Sequence, residues 1–287
     1  MVKNNLRLRV ALVILSIFIG GSVLVLSRFI QRWTPHPPEP LATYSPDAEP
    51  VKSRADQGGQ TKPTNTPDPQ VAIVMDDLGE SEQDVQSLID INIPLTFAVL
   101  PQRPFSHSIA ERLHSLGREI ILHLPLEPED YENINLGKGM LLLAMPREEL
   151  LSGLRENLDS IPHISGINNH MGSAFTADEE GMRLVLMELK ERGLFFLDNR
   201  TTVETVGLRV ARELGVRAAE RDVFLDNEEE PGYISSQLDE LIREAREKGQ
   251  AIGTCHPSSI TIQVLSEKLP ELSAQGIDFV PVSALMR

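Results

Sequence analysis

Acidic, amide and imidazole side chains recur in this sequence directly after short apolar runs. Asp76 and Asp77 follow one such run, and His123 follows another. The later runs lead into Asn168-Asn169-His170, Asp198-Asn199-Arg200 and His256-Pro257. Carboxylate and imidazole groups bind zinc and similar ions, and both transfer protons in hydrolytic reactions. If these positions meet in space, the residue types predict a site that combines a metal ion with acid and base groups.

The adjacent carboxylates of Asp76 and Asp77 repel each other unless a cation or hydrogen bonds offset their charge. At a strand end, one carboxylate can bind a metal ion while the other stays free as a base. The alternative is structural, because Asp77 could cap the helix that follows.

His123 and Glu127 stand four residues apart, and both offer suitable ligand atoms for zinc or a similar ion. A single buried histidine can equally be a core residue with satisfied hydrogen bonds. We therefore expect His123 to act as a ligand together with Asp77, and Glu127 is a further candidate.

Asn168 and His170 share one face if the strand reaches that far, because alternate strand residues point the same way. These groups, with Asn169, could bind metal, substrate hydroxyls or an acetyl oxygen. The alternative is a polar turn built by asparagine and glycine.

Asp198 and Arg200 also share a face, and Asp198 could orient a base or a histidine. A structural ion pair fits the same two residues. A nucleophilic pair of Cys255 with His256 is rejected, because neighbouring strand residues point to opposite faces. We expect Cys255 to be a small core residue.

Short β-rich apolar runs alternate with amphipathic stretches over about 220 residues, which predicts parallel strands with helical crossovers. Strands are expected at 71–75, 95–100, 119–122, 164–167, 194–197, 216–219, 251–254 and 277–280. Helices are expected at 83–89, 106–116, 147–158, 178–192, 203–214, 234–248 and 258–272. A barrel or a doubly wound sheet would bring the carboxyl ends of the strands to one mouth. The turn Asp77-Leu78-Gly79-Glu80 lacks the glycine spacing of a nucleotide cradle.

Residues 1–33 are predicted to form an uncleaved signal anchor. The stretch from Val10 to Leu26 is free of charge and close to the roughly 17 residues that a spanning helix needs. It has no small-residue cleavage site, although cleavage remains the alternative. Basic residues before it favour a cytoplasmic amino terminus, which would place the rest in the periplasm or extracellular space.

Residues 34–69 are rich in proline, serine and threonine and predict a disordered tether. Residues 70–287 are then the catalytic domain. The chain carries a net charge of −15, and residues 1–33 hold five basic side chains and no acid, so the remainder carries −20. Such an acidic surface repels nucleic acid, which is not expected as a partner.

Five segments together resemble the divergent polysaccharide deacetylase family, a distant branch of the NodB-homology carbohydrate esterases. They are Ile73-Val74-Met75-Asp76-Asp77-Leu78-Gly79, His123-Leu124-Pro125-Leu126-Glu127-Pro128, Gly166-Ile167-Asn168-Asn169-His170-Met171-Gly172-Ser173, Asp198-Asn199-Arg200-Thr201-Thr202 and Gly253-Thr254-Cys255-His256-Pro257. The resemblance implies a distorted α/β barrel of about seven to eight parallel strands.

The resemblance also implies roles for single residues. Asp76 would be the general base, Asp77 and His123 metal ligands, and His256 the general acid. Family members place a second histidine four residues after the first, where this chain has Glu127. Either Glu127 or His170 completes the metal site, and His170 is favoured. Arg200 is the candidate for an arginine that this chain lacks at the usual position.

The expected function is metal-dependent removal of acetyl groups from an envelope polysaccharide, such as peptidoglycan or another amino-sugar glycan. The expected cofactor is a divalent ion, with zinc as the first candidate, and Asn168 and Asn169 would contact substrate. The inner membrane is the expected partner of the amino-terminal segment. The alternative is a catalytically silent glycan-binding or envelope-organising protein that keeps the barrel and the metal. A third reading is a metal-dependent phosphoesterase or amidase on the same barrel, and the acidic charge and the lack of basic strand-end residues beyond Arg200 argue against a phosphate substrate.

Overall fold

A computed structural model describes residues 68–130 and 137–287 of the chain. The predicted anchor at residues 1–33 and the tether as far as residue 67 lie outside the described residues. Within the described ranges, no helix combines the length and the apolar character needed to cross a bilayer. At the start of the described residues, the carbonyl of Pro69 accepts a hydrogen bond from the Asp278 N–H.

A single parallel sheet forms the centre of the described part of the chain. Its nine strands are β1 (Gln70–Leu78), β2 (Thr96–Val99), β3 (Glu119–Leu126), β4 (Gly166–Met171), β5 (Phe195–Asp198), β6 (Ala218–Glu220), β7 (Val223–Phe224), β8 (Gln250–Cys255) and β9 (Asp278–Phe279). The strand order is β6-β5-β4-β3-β2-β1-β8-β7, and β9 pairs with the start of β1. Every pairing between these strands is parallel, which requires crossover connections.

Most of these crossovers are helical. The helices are α1 (Glu82–Ile89), α2 (Ser106–Ser115), α3 (Arg147–Ser160), α4 (Ser173–Ala177), α5 (Glu179–Arg192), α6 (Gly207–Leu214), α7 (Pro231–Lys248) and α8 (Ser259–Ala274). A 3₁₀ helix at Val282–Leu285 follows β9. The alternation of parallel strands and helices confirms the predicted α/β class.

Two strands at opposite ends of the sheet order, β6 and β7, are separated in the chain only by Arg221 and Asp222. The Arg221 N–H donates to the Asp198 carbonyl in β5, and the Asp222 N–H donates to the Ile252 carbonyl in β8. The sheet must therefore curl until its two ends face each other across this connection, which we call the seam. The result is a distorted, incompletely closed barrel.

Alternate residues of β1 enter two different cores. Ile73 and Met75 pack in the larger cluster that includes helix residues such as Leu113 and Leu241. Ala72 and Val74 pack in a smaller cluster lined by other strands. A strand buried on both faces needs an unbroken apolar run, and this is why residues 71–75 carry no polar side chain.

The carboxyl-terminal 3₁₀ helix closes the barrel at the amino ends of the strands. Val282 and Leu285 are buried in the smaller, inner cluster. Polar groups fix the same segment, because the Val282 N–H donates to Thr96 Oγ1 and the Ser283 N–H donates to Glu119 Oε2. The inner core thus depends on residues at the end of the chain.

All eight predicted strands are present. One further strand, β7, was not predicted, because its two residues are too few to show a periodic pattern. The helix predicted from Val203 begins instead at Gly207, and the short helix α4 was also missed. Five glycines at or next to helix ends adopt positive φ angles: Gly117, Gly193, Gly215, Gly249 and Gly276.

Replacing Leu285 with alanine should lower the free energy of unfolding by about 2–5 kcal/mol, because the inner core cannot collapse fully around the lost atoms. Urea unfolding followed by circular dichroism measures this difference. Leu116→Ala removes the same atoms from a side chain that is half exposed and should cost less than about 1 kcal/mol. Equal losses of unfolding free energy in the two variants would contradict the contribution of the carboxyl-terminal 3₁₀ helix to the inner core.

Candidate active site and metal site

The carboxyl ends of β1, β3, β4 and β8 converge at one mouth of the barrel, as expected for parallel strands. The register pairs His123 with Asn168 and Pro125 with His170 across β3 and β4. On the other side, Met75 of β1 pairs with Cys255 of β8, which His256 follows directly. Residues distant in sequence are thereby brought together at the mouth.

Three side chains form a close triangle there. Asp77 Oδ1 lies 3.1 Å from His123 Nε2 and 3.0 Å from His170 Nδ1, and the two imidazole nitrogens are 3.2 Å apart. His123 is buried, whereas His170 and Asp77 are partly exposed toward the mouth. The Asp77 Oδ1 atom is itself buried. Both imidazole nitrogens are near it, but no group among the described residues donates a well-aligned hydrogen bond to it.

This triangle fits a metal ion. Ligand atoms about 2.0–2.2 Å from a common zinc ion are necessarily about 3–3.5 Å from one another, as these three are. Among the described residues, Asp77, His123 and His170 are the group of acidic, histidine and cysteine side chains whose ligand atoms are close enough to share an ion. One carboxylate and two imidazoles would leave further coordination positions for water or substrate.

An irregularity in β1 explains how two adjacent aspartates can face the same mouth. In a regular strand, Asp76 and Asp77 would point to opposite faces. The register of β1 against β2 shifts between Met75 and Leu78, and Asp77 has a φ of 59°. A bulge of this kind redirects a side chain, and bulges are frequent beside active sites. The cap of α1 is Ser81, so the alternative role of Asp77 as a helix cap is excluded.

Asn168 connects the base candidate with the metal site. Its Nδ2 donates to Asp76 Oδ1 at 2.7 Å, which leaves its Oδ1 to face His123 Nδ1 at 2.7 Å. In a neutral His123 ring, this contact keeps the proton on Nδ1 and the lone pair on Nε2, directed at the triangle. Asn199 Nδ2 binds the other oxygen of Asp76 at 3.0 Å.

The two asparagines predicted to contact substrate are buried and serve other contacts. Asn168 is 0% exposed and Asn169 is 1% exposed. Asn169 accepts a hydrogen bond from the Asn199 N–H and donates to the Met171 carbonyl, and thus joins the ends of β4 and β5. Their contact with substrate stays a prediction, and in the structure both amides are buried and connect strand ends.

The charges at the mouth shift one another's pKa values. Burial raises the pKa of Asp76, and His123 and Asn168 offset part of that effect. Burial also favours the neutral form of Asp77, but contacts with His123 and His170 outweigh it and hold the pKa of Asp77 far below its usual range. For His123, burial opposes the charge, yet Asp76 and Asp77 outweigh it and raise the pKa to about 9.

His256 lies at the rim of this group, with Nε2 3.8 Å from Asp77 Oδ2 and a side chain 37% exposed. Its Nδ1 is 3.2 Å from Asp226 Oδ1, and its backbone N–H donates to Asp226 Oδ2 at 2.7 Å. Burial lowers the pKa of His256, but Asp226 outweighs burial, so the pKa is raised overall. Cys255 is buried, its pKa is raised well above the usual value by burial, and it does not act with His256.

Asp226 was missed by the sequence analysis, as was Arg221. Asp226 follows the two-residue strand β7, which has too little apolar pattern to mark a strand end. Arg221 lies in the seam, where its Nε donates to the Asn199 carbonyl at 2.8 Å. Burial lowers the pKa of Arg221, and the nearby charge of Asp76 opposes this change.

Three predicted site residues have other roles. Glu127 follows the end of β3, and its Oε2 accepts a hydrogen bond from the Leu143 N–H at 2.6 Å, so it holds a loop and lies outside the triangle. Asp198 accepts from the Arg200 N–H and Thr205 Oγ1 and orients no histidine among the described residues. The exposed Arg200 side chain lies 3.7 Å from Glu220. Arg221, not Arg200, is the arginine whose charge acts on Asp76.

Comparison with known proteins agrees with this geometry. Residues 73–286 match the model of the family described as divergent polysaccharide deacetylase. The chain is 32% identical over 216 residues to the uncharacterised protein YibQ of Escherichia coli K12, covering 75% of this chain and 67% of that protein. An uncharacterised protein of Haemophilus influenzae is 33% identical over 217 residues, 76% of each chain.

A solved structure has the same fold. The crystal structure of an uncharacterised protein from Agrobacterium tumefaciens C58 superposes with a TM-score of 0.73 at 30% identity and covers 77% of this chain and 91% of that one. The family match spans nearly the whole barrel and includes every residue of the triangle. The chain therefore belongs to the divergent polysaccharide deacetylase family.

Proposed function

We propose that this protein is a metal-dependent hydrolase that removes acetyl groups from an amino-sugar polysaccharide of the cell envelope. The observation that carries the proposal is the triangle of Asp77, His123 and His170, with Asp76 and His256 beside it. Family membership supports a polysaccharide as the substrate class. A divalent ion held by the triangle, zinc in the first instance, would supply the Lewis acidity that favours attack of water on an acetyl carbonyl.

Asp76 is the group suited to accept a proton from the attacking water. Burial raises its pKa, which makes the carboxylate a stronger base than an exposed one. Asn168 and Asn199 each donate to one of its oxygens, so its orientation is fixed before substrate binds. Each carboxylate oxygen keeps a second lone pair for the proton that it takes up.

His256 is suited to protonate the departing amine. Asp226 holds its Nδ1 side, so Nε2 is presented toward the mouth near Asp77. The raised pKa favours the imidazolium form, which a general acid requires. In the complete reaction, water adds to the carbonyl carbon, the C–N bond breaks, and acetate and the protonated amine are released.

The position of the enzyme in the envelope is part of the proposal. The uncharged stretch from Val10 to Leu26 and the basic residues before it support an inner-membrane anchor with the barrel in the periplasm or extracellular space. A substrate such as peptidoglycan is reached from that side. These residues lie outside the described part of the structure.

A second candidate function is glycan binding without catalysis, in which the protein keeps the metal but does not hydrolyse the acetyl group. The environment of Asp76 favours it, because the side chain is only 2% exposed and both oxygens already accept amide hydrogen bonds. Substrate binding would have to open this site for proton transfer. The two candidates share the metal triangle and differ in the release of acetate.

Asp76→Asn and His256→Ala should each lower kcat for acetate release from N-acetylglucosamine oligomers and muropeptides by about 10²–10⁴-fold, because each removes a proton-transfer group. Metal content, measured by elemental analysis, should stay at the wild-type level. Arg200→Ala is the control and should retain full activity, since its side chain is directed toward Glu220. Wild-type activity in both catalytic variants would refute the proposal, and metal and glycan binding without any acetate release would favour the silent protein.

Metal affinity should fall by about 100-fold in His170→Ala and Asp77→Asn, because the first change removes a ligand atom and the second removes the negative charge of another ligand. Glu127→Gln should leave affinity unchanged, since Glu127 binds a backbone N–H in another loop. Titration calorimetry with Zn²⁺ measures these values. A large loss in Glu127→Gln with none in His170→Ala would reverse the ligand assignment.

Zinc affinity should also rise with pH. In the metal-free protein, the pKa of His123 is raised from 6.5 to about 9, so the ion must displace a proton over that range. The apparent association constant should therefore increase by about tenfold per pH unit for that proton. The raised pKa of His123 also stabilises the folded, metal-free protein. This stabilisation is complete below pH 6.5 and is lost as the pH rises through about 9. A pH-independent affinity from pH 6.5 to 8.5 would contradict this coupling.

Asp226→Asn should lower the pKa of His256, because Asp226 is the group that outweighs burial of the imidazole. NMR titration of the His256 ring resonances measures the change. Asp198→Asn is the matched control and should leave the pKa of His256 unaltered, since Asp198 binds Arg200 and Thr205 instead. An equal shift in both variants would show a general electrostatic effect and not a direct contact.

A further inference from the structure

An open groove lies between the edge strand β7 and helix α7, on the side of the seam. Its volume is about 450 Å³, within the range of roughly 300–1,000 Å³ that is usual for ligand sites. We call it the β7–α7 groove. Its lining residues are Asp222, Val223, Phe224, Asn227, Tyr233, Gln237, Glu240 and Glu244.

One side of the groove is a single stripe of α7. Tyr233, Gln237, Glu240 and Glu244 are spaced by four, three and four residues, so they lie on one face of the helix. All four side chains are half-buried. The stripe extends for about 16 Å along the helix axis, which is long enough for more than one sugar unit.

The groove opens next to the general acid candidate. The Phe224 ring lines the groove and meets the His256 ring edge to face, with the centroids 5.3 Å apart. Asn227, another lining residue, directly follows Asp226, which holds His256. A chain whose acetylated sugar lies at the mouth can therefore continue into the groove without leaving the protein surface.

The lining chemistry suits a carbohydrate. Aromatic rings such as Phe224 and Tyr233 pack against apolar sugar faces, and carboxylates and amides exchange hydrogen bonds with hydroxyl and amine groups. The acids here are partly compensated, because Asp222 and Glu244 pair with Lys248 and Glu240 pairs with Arg243. None of the lining residues is basic, and Lys248 and Arg243 beside the groove are already paired with these acids, so the lining disfavours an anionic glycan.

A peptide is the less suitable occupant. An extended peptide would pair with the free edge of β7, but this strand has only two residues and offers few backbone groups. The binding surface is made instead by side chains of α7.

We propose that the β7–α7 groove is a binding subsite for the glycan chain that continues from the reacting sugar, and that this chain is an amino-sugar polymer without anionic groups at that position. This inference rests on the proposed deacetylase function. It assigns to Tyr233 and Gln237 the binding of distant sugar units, with no part in the chemical step.

The experiment compares a dimer and a hexamer of N-acetylglucosamine as substrates of the full-length, metal-loaded protein. Wild-type KM should be about tenfold lower for the hexamer than for the dimer, because only the hexamer reaches the groove. Tyr233→Ala and Gln237→Ala should raise the hexamer KM toward the dimer value and leave kcat and the dimer KM unaltered. Asp239→Ala, an exposed change on the same helix outside the groove, should have no effect.

The groove proposal would be overturned by equal KM values for the two oligomers in the wild type, or by an equal rise in KM for both in Tyr233→Ala. Acetate release in the same experiment would still support the proposed function. Calorimetric binding of the hexamer supplies a readout that needs no turnover. If Tyr233→Ala weakens hexamer binding but the wild type releases no acetate, the groove stands and the deacetylase function fails. Absence of both binding and turnover would refute the groove as well.

Discussion

Two carboxylates, those of Asp76 and Asp77, lie side by side at a largely buried barrel mouth. Their charges would repel each other strongly in that environment if nothing compensated them. Compensation comes from His123, which is close to both, from His170 at Asp77, and from the amides of Asn168 and Asn199 at Asp76. The candidate metal triangle and the base candidate are therefore parts of one hydrogen-bonded and charged unit.

The curl of the sheet makes this unit possible. Asp76 on β1 and Asn199 after β5 lie on strands separated by three others in the sheet order, yet their side chains are in contact. Only a strongly curled sheet brings these ends together. The seam completes the arrangement, because Arg221 reaches the Asn199 carbonyl while the segment after β7 supplies Asp226 to His256. The inner core closed by Val282 and Leu285 supports the curl from the opposite end.

Sequence patterns predicted the parts of the site that follow long apolar strands. Asp77, His123 and His170 each extend a strand with a clear signal, and the carboxyl ends of parallel strands share one mouth. Asp226 and Arg221 flank the short strand β7, which leaves no periodic trace. Glu127 was a candidate because it has ligand chemistry and suitable spacing, but the chain turns after Leu126 and directs its carboxylate to the Leu143 N–H.

The sequence by itself determined the α/β class, the order of the strands along the chain and the residue types available for chemistry, since these follow from local periodicity and composition. Only the tertiary structure decided which polar groups form the triangle, which are buried beside it and which lie outside it. The physical reason is that direction depends on bulges, curl and register: the shift in β1 turns Asp77 toward the histidines, and the register of β3 and β4 places Asn168 as a bridge between Asp76 and His123.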